Sequence, residues 1–126
     1  MIVLDTSVVV DALTTRGHSA SALRRAIDRG ERMTLTTIGL YEWLRGPRTP
    51  AELAAQEALF PAAAALGFGR AEAAMAAELY HAVRSPRGRD ADLAIAACAI
   101  CAGATLWTLN VKDFRDIPGL GLATLA

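Results

Sequence analysis

The sequence predicts an α/β fold, specifically a three-layer α/β/α sandwich around a central, mostly parallel sheet. Two observations support this prediction. Short runs rich in β-branched and aromatic residues, such as "MIVL" at the start and "TLWT" near the end, are typical of buried strands. The segments between them are longer and show helical spacing of apolar residues. Strands that are separated by one or two helices pair in parallel and have both faces of their sheet covered.

The first half of the chain contains two predicted strands and four predicted helices. A strand at Ile2–Leu4 precedes a helix over residues 7–13, and the loop "TTRGHS" leads to a helix in "ASALRRAIDRGE". A strand follows in "RMTLTT". Thr37 is predicted to cap the helix "IGLYEWLRG", and Pro50 to lie at an early position of the next one.

The second half is dominated by two helices. The first is alanine-rich and amphipathic, and the second is almost entirely apolar with acidic residues only at its start. The strand "TLWT" and a candidate last strand, "LGLAT", complete the pattern. We find no long linker and no repeat, and we therefore predict one domain over residues 1–126.

Composition and charge limit the classes of function. The chain is 53% apolar, yet no run of about 18 apolar residues is present to cross a bilayer, and no membrane association is expected. The opening "MIVLDTS" lacks a basic n-region, which predicts a cytoplasmic protein. The formal net charge is +0, but Arg84, Arg87 and Arg89 form a cluster. This cluster either guides a nucleic-acid backbone or is a solvated loop.

Two cysteines, Cys98 and Cys101, form the spacing "CAIC" inside the apolar helix. A redox or zinc site would need a helix N-terminus that stabilises a thiolate, or further ligands nearby. Neither is present, so we predict that both are small buried core residues.

Acidic residues stand at the edges of apolar elements at distant points of the chain. Asp5 directly follows the first strand, Glu42 lies in a helix with apolar neighbours, and Asp92 lies in the first turn of the apolar helix. Each acid also has a purely structural interpretation. Asp5 and one of the pair Asp90 and Asp92 are candidate helix caps, and Glu42 is a candidate for a solvent-facing pair with Arg45.

These acids are expected to converge at the carboxyl edge of the sheet, where open α/β sheets carry their chemistry. Clustered carboxylates repel one another, and a divalent cation is the simplest relief. Oxygen ligands without Cys or His select Mg²⁺ or Mn²⁺. The residues therefore predict metal-assisted phosphodiester hydrolysis.

Four motifs follow one another in register over essentially the full length of the chain: "MIVLDTSVVVDAL", "YEWLRG", "DADLAIAACAICAGATLWTLNVKDF" and "IPGLGL". On these motifs, the chain resembles the PIN-domain ribonucleases, specifically the VapC-type toxins of bacterial toxin-antitoxin pairs. The resemblance implies a Mg²⁺- or Mn²⁺-dependent endoribonuclease that acts on RNA, forms a homodimer and is inhibited by a cognate antitoxin.

By motif, the resemblance assigns the three acids of the family to Asp5, Glu42 and Asp92. The fourth position of the family is often Asp, but here it is Asn110. Asp113 is the nearest carboxylate, and the resemblance leaves open which of the two completes the site.

Three further residues take auxiliary roles by the same resemblance. Ser7 and Thr108 look like the hydroxyls that orient carboxylates or water, and Asp90 is either a helix cap or an outer ligand. The alternative function is a catalytically inactive PIN-like binding module that retains the acids for structure.

Overall fold

The computed structural model describes residues 1–14 and 17–124. Within these ranges, three short parallel strands form the sheet. Strand β1 (Ile2–Leu4) lies in the middle, and β2 (Met33–Thr34) and β3 (Thr105–Trp107) pair with it in parallel on either side. All three strands therefore end at the same edge, and Asp5 is the first residue beyond β1.

Helices cover both faces of this sheet. Among the described residues they are α1 (Thr6–Leu13), α2 (Ala20–Asp28), α3 (Thr37–Arg45), α4 (Pro50–Leu59), α5 (Arg70–Ala82) and α6 (Asp90–Cys101). Two short 3₁₀ turns lie at Ala62–Ala64 and Val111–Asp113. No helix in the described ranges has the length and apolar character needed to span a membrane.

The side chains of the strands alternate between two hydrophobic cores, as the two-residue period of a strand requires. Val3 and Leu106 belong to the core that contains Leu93 of α6. Leu4 and Trp107 belong to the other core, which α1, α2 and α3 help to close. Both faces are thus covered, and the predicted α/β sandwich is confirmed.

Helix α6 is buried nearly all round because it packs between the sheet and α5. Its residues from Leu93 to Ala99 are all buried, and the small alanines permit this close packing. Cys98 is buried as predicted, with burial raising its pKa to about 11. Cys101 is exposed, which corrects the prediction that both cysteines belong to the core. The reason is position, because Cys101 is the last residue of α6.

Two other predictions are corrected at element ends. Thr36, and not Thr37, caps α3, and its hydroxyl accepts a hydrogen bond of 2.9 Å from the Gly39 amide. The candidate last strand is reduced to an isolated parallel bridge between Leu122 and Leu106. The loop predicted over "TTRGHS" includes residues 15 and 16, which lie outside the described residues.

Candidate active site

An acidic cavity of about 410 Å³ opens at the carboxyl edge of the sheet. Four carboxylates line it, from Asp5, Asp11, Glu42 and Asp92. The amide side chain of Asn110 also lines it. The three acids expected to converge therefore share one cavity, although they are separated by up to 87 residues in the chain. We call this space the acidic cavity.

Asp5 is held in place by two hydroxyl groups. Ser7 and Thr108 each donate a hydrogen bond of 2.8 Å to the same carboxylate oxygen, Oδ2. Asp5 occupies the N-cap position of α1, but its side chain makes no capping hydrogen bond. Asp5 is 5% exposed, and a buried carboxylate requires such donors. The two hydroxyls therefore set the orientation of this carboxylate.

The same hydroxyls also fix the turn that follows β3. The backbone N–H of Leu109 donates to Ser7 Oγ at 3.1 Å, and the backbone N–H of Asn110 donates to Thr108 Oγ1 at 3.0 Å. Because each hydroxyl both donates and accepts, Asp5 and this turn are joined in one network. The network brings the Asn110 side chain to the acidic cavity.

Glu42 reaches the acidic cavity from α3. Its Oε1 accepts a hydrogen bond of 2.9 Å from Thr6 Oγ1, which ties α3 to the start of α1. Its Oε2 lies 3.8 Å from Arg45 Nη2, and the Arg45 side chain is 59% exposed. A pair this long and this exposed contributes little. Glu42 is therefore oriented mainly by Thr6.

Asp92 is the least compensated carboxylate of the acidic cavity. Burial raises its pKa to about 6, and repulsion by Asp5, Asp113 and Glu42 contributes in that order, while Arg89 acts in the opposite direction. Within the described residues, no side chain donates a hydrogen bond to it. A carboxylate in this situation is stabilised by an added cation.

Asp90 and Asp113 lie outside the acidic cavity. Asp90 is the first residue of α6 and not its cap, because the cap position belongs to Arg89. Two residues correspond to about 200° around a helix, so Asp90 turns away from Asp92 and borders a depression near Tyr80 instead. Asp113 ends the 3₁₀ turn and is exposed.

The arginine cluster is divided by the structure. Arg84 and Arg87 are exposed on the loop before α6. Arg89 is engaged instead, because it makes two hydrogen bonds, of 2.7 Å and 2.9 Å, to the carboxylate of Asp116. Arg89 therefore already has an anionic partner, whereas Arg84 and Arg87 remain candidates for phosphate contacts.

Asp11 is the acid that the sequence analysis missed. It lies one helical turn after Ser7 on α1, and its Oδ2 accepts a hydrogen bond of 2.6 Å from the Ser19 amide. The surrounding run "VVVDAL" looks like an ordinary helix segment, and Asp11 drew no attention there. The i,i+4 spacing from Ser7 was the signal that would have placed it on the same helix face.

The donor set fits a hard divalent cation. All polar groups of the acidic cavity are oxygen donors or the Asn110 amide, and burial together with the neighbouring carboxylates raises the pKa of Asp92. In the described part of the chain, no three Asp, Glu, His or Cys side chains lie close enough to surround one ion. Mg²⁺ needs only one or two protein carboxylates because it retains several waters, so this spacing is compatible with it.

The fold and the acidic cavity together define a small α/β domain with a site of the kind that supports metal-assisted phosphodiester chemistry. The family model of the PIN domain matches residues 2–120. The chain therefore belongs to the PIN-domain family, and the resemblance inferred from its motifs is confirmed.

Curated relatives give the same result. Ribonuclease VapC19 of Mycobacterium tuberculosis strain H37Rv is 36% identical over 122 residues, which is 95% of this chain and 97% of the relative. The protein of the same name from strain CDC 1551 / Oshkosh matches equally. The chain is thus a homologue of a VapC ribonuclease over nearly its whole length.

Solved structures share the fold. VapBC2 from Rickettsia felis, bound to a promoter DNA fragment, matches with a TM-score of 0.76 at 22% identity and covers 100% of both chains. DNA-bound VapBC from Salmonella typhimurium matches with a TM-score of 0.73 at 21% identity, over 97% of this chain and 96% of that one. FitAcB from Neisseria gonorrhoeae matches with a TM-score of 0.72 at 21% identity, over 98% of this chain and 97% of that one.

Proposed function

We propose that this protein is a Mg²⁺- or Mn²⁺-dependent endoribonuclease and the toxin of a toxin-antitoxin pair. The observation that carries the proposal is the acidic cavity, in which Asp5, Glu42 and Asp92 meet. The relative named a ribonuclease, at 36% identity, supports RNA as the substrate. The similar structures of VapBC complexes support a cognate antitoxin as the partner.

Asp5, Glu42 and Asp92 are the residues that would hold the cation, directly or through water, with Asn110 beside them. When bound, the cation would activate a water and offset negative charge at the scissile phosphate. Replacing the fourth carboxylate of the family by the neutral Asn110 lowers the negative charge of the acidic cavity by one. This reduces the repulsion that the remaining acids must overcome.

The chain's own groups would orient substrate and water. Ser7 and Thr108 fix the Asp5 carboxylate, and Thr6 fixes Glu42, so two of the three acids are held before substrate arrives. A carboxylate of the acidic cavity would take the proton of the attacking water. The exposed Arg84 and Arg87 would guide the RNA backbone.

We also propose a homodimer in the cytoplasm. Helix α3 leaves Tyr41 and Leu44 exposed, at 61% and 53%, and two such side chains on one helix face provide apolar surface for a second copy. Sedimentation of the purified chain tests the dimer. A monomer at every concentration would contradict it.

The nuclease proposal is tested by RNA cleavage with matched variants. Antitoxin-free protein is incubated with single-stranded RNA in Mg²⁺, in Mn²⁺ or in chelator, and Asp92→Asn is compared with Asp90→Asn. Both variants remove one negative charge from the start of α6, but only Asp92 lines the acidic cavity. We expect Asp92→Asn to lose roughly 100-fold or more in rate, and Asp90→Asn to change less than about twofold. Equal losses, or cleavage that persists in chelator, would contradict the proposal.

A second test separates Asn110 from Asp113. Asn110 lines the acidic cavity and Asp113 does not. We expect Asn110→Ala to lower the cleavage rate about tenfold, and Asp113→Ala to leave it within about twofold. If both variants lose cleavage equally, Asp113 belongs to the site and the set of acids has to be enlarged.

The hydrogen bonds that Asp5 and Glu42 receive favour the alternative of an inactive binding module, because they give these acids a structural role without a bound ion. The two functions are separated by Asp5→Asn. For a nuclease toxin, this variant abolishes growth inhibition and RNA cleavage but still binds the antitoxin. For a binding module, growth inhibition is unchanged.

A further inference from the structure

Arg89 stands at an unusual place for a cation. It occupies the N-cap position of α6, where the positive end of the helix dipole disfavours a guanidinium. It also lies three residues before Asp92, a spacing at which helix side chains of opposite charge pair. The carboxylate at this spacing on its own helix is Asp92, the acid that the proposed metal site needs.

The Arg89 guanidinium is bound by Asp116 and not by Asp92. Arg89 Nη1 and Nη2 donate to the two carboxylate oxygens of Asp116, and Nη2 donates a third hydrogen bond of 2.8 Å to the carbonyl of Asp113. A planar guanidinium that is bound to both oxygens of one carboxylate has its orientation fixed. The Arg89 side chain is only 18% exposed.

The segment that carries Asp116 is firmly anchored. Phe114 and Ile117, on either side of it, are 1% and 3% exposed and belong to the hydrophobic core. Asp116 therefore has a fixed backbone position, although its own side chain is 45% exposed. Removing its charge would release Arg89 without moving the backbone.

We propose that Asp116 is a positioning residue that holds the Arg89 guanidinium away from Asp92 and thereby sets the affinity of the acidic cavity for a divalent cation. This inference rests on the proposed metal-dependent function. A released guanidinium would approach Asp92, because the groups around Asp92 are the carboxylates of Asp5, Glu42 and Asp113. It would then neutralise Asp92 and compete with the cation.

A purely structural ion pair predicts a different pattern. If the ion pair only ties α6 to the segment around Asp116, removing either partner weakens cation binding in the acidic cavity in the same way. If Asp116 restrains a competitor, removing Arg89 has the opposite effect from removing Asp116. The signs of the two single substitutions, taken together with a charge control and the double variant, separate the two roles.

The test is calorimetric titration of Mn²⁺ into the full chain without RNA, at about 0.15 M salt. The variants are Asp116→Asn, Arg89→Gln and the double variant, with Asp90→Asn as a control for the loss of one surface charge near α6. We expect Asp116→Asn to weaken Mn²⁺ binding roughly two- to fivefold, and Arg89→Gln to leave it equal or tighter. In the double variant, binding should return to the level of Arg89→Gln.

Three outcomes would overturn the inference. These are equal weakening in both single variants, no change in Asp116→Asn beyond that in Asp90→Asn, and a double variant as weak as Asp116→Asn. Near-ultraviolet circular dichroism of each variant establishes that it is folded. The proposed metal site is wrong if the unmodified chain binds no Mn²⁺, or if Asp92→Asn binds Mn²⁺ as tightly as the unmodified chain. In either case this inference is wrong as well. Binding that depends on Asp92 but not on Asp116 refutes the inference alone.

Discussion

The two sides of the acidic cavity are built in opposite ways. On the β1 side, Asp5 is almost fully buried and receives two hydrogen bonds from Ser7 and Thr108. On the α6 side, Asp92 is half-buried, receives no side-chain hydrogen bond within the described residues, and has its pKa raised to about 6 by burial and by neighbouring carboxylates.

The difference indicates a division of roles. The hydroxyls satisfy Asp5 inside the protein, so its orientation does not depend on a bound ion. Among the described side chains, Arg89 alone offsets the charge of Asp92, so that charge is available to an added cation. The β1 side therefore provides the fixed frame of the cavity, and the α6 side provides most of the unbalanced charge.

The largest expected effect is a difference in the sign of two stability changes. In chelator at pH 7, we expect Asp5→Ala to lower the free energy of unfolding by about 2 kcal/mol, because the hydroxyls of Ser7 and Thr108 lose their acceptor. We expect Asp92→Ala to raise it by about 1 kcal/mol, because a repelled and partly buried carboxylate is removed. Urea denaturation of both variants measures the difference.

The control for this comparison is Asp90→Ala. Asp90 shares the favourable start of α6 with Asp92 but not the acidic cavity, and its replacement should cost a few tenths of a kcal/mol. If Asp92→Ala were as destabilising as Asp5→Ala, the two sides would not differ in the way described.

The second prediction concerns pH. The pKa of Asp92 is about 6 in the folded chain, against about 3.9 in an unfolded one. Between these values the folded state keeps a proton that the unfolded state has lost, so stability falls as the pH rises from about 4 to 6. After allowance for solvent screening at a half-buried group, the loss is about 1 to 2 kcal/mol.

Urea denaturation in chelator from pH 4 to pH 7 measures this loss. The comparison is with Asp92→Asn, in which the contribution should be missing. Added Mg²⁺ should reduce the loss in the unmodified chain. The same pH dependence in both proteins would assign it to another group.

The third prediction removes two hydrogen bonds from the β1 side. Thr108→Val keeps the shape of the side chain but removes its hydroxyl. This hydroxyl donates a hydrogen bond to the Asp5 carboxylate and accepts one from the backbone N–H of Asn110. We expect a loss of about 1 kcal/mol in the free energy of unfolding. Thr124→Val is a matched control, because Thr124 is exposed near the end of the described residues. Equal effects would show that the hydroxyl of Thr108 has no special role.

The smallest expected effect is on the α6 side. Asp113 lies outside the acidic cavity but raises the pKa of Asp92 by repulsion. We therefore expect Asp113→Asn to lower the pKa of Asp92 by a few tenths of a unit, as followed by NMR titration of the carboxyl carbon in chelator. An unchanged pKa would mean that solvent screens this pair completely.

Much of the fold was predictable because its signals are local. The run "MIVL" and the turn after "TLWT" identify strands, and the parallel order follows from the helices between them. The convergence of Asp5 and Asp92 was predictable for the same reason, because β1 ends and α6 begins at a common edge of the sheet. Glu42 lies inside α3, and the family motif supported its place. The family motifs then placed Ser7 and Thr108 with them.

Other features were not predictable because they depend on helix rotation and on contacts between distant segments. Asp11 looked like an ordinary helix residue: its spacing from Ser7 puts both on one face of α1, but only the tertiary structure shows that this face borders the acidic cavity. Local pattern alone left Asp90 and Asp92 nearly equivalent; the family motif favoured Asp92, and the structure places Asp92 and not Asp90 at the acidic cavity. Arg89 was grouped with Arg84 and Arg87, although its partner lies 27 residues later.

The sequence by itself determined the parallel α/β class and the acids that meet at one edge of the sheet, because strand direction and apolar spacing are written in neighbouring residues. Only the tertiary structure decided how the charge of those acids is balanced. Hydrogen bonds to Asp5, the unbalanced charge of Asp92 and the pairing of Arg89 with Asp116 depend on distances between segments far apart in the chain. Electrostatic energy depends on those distances and on burial, which no local pattern specifies.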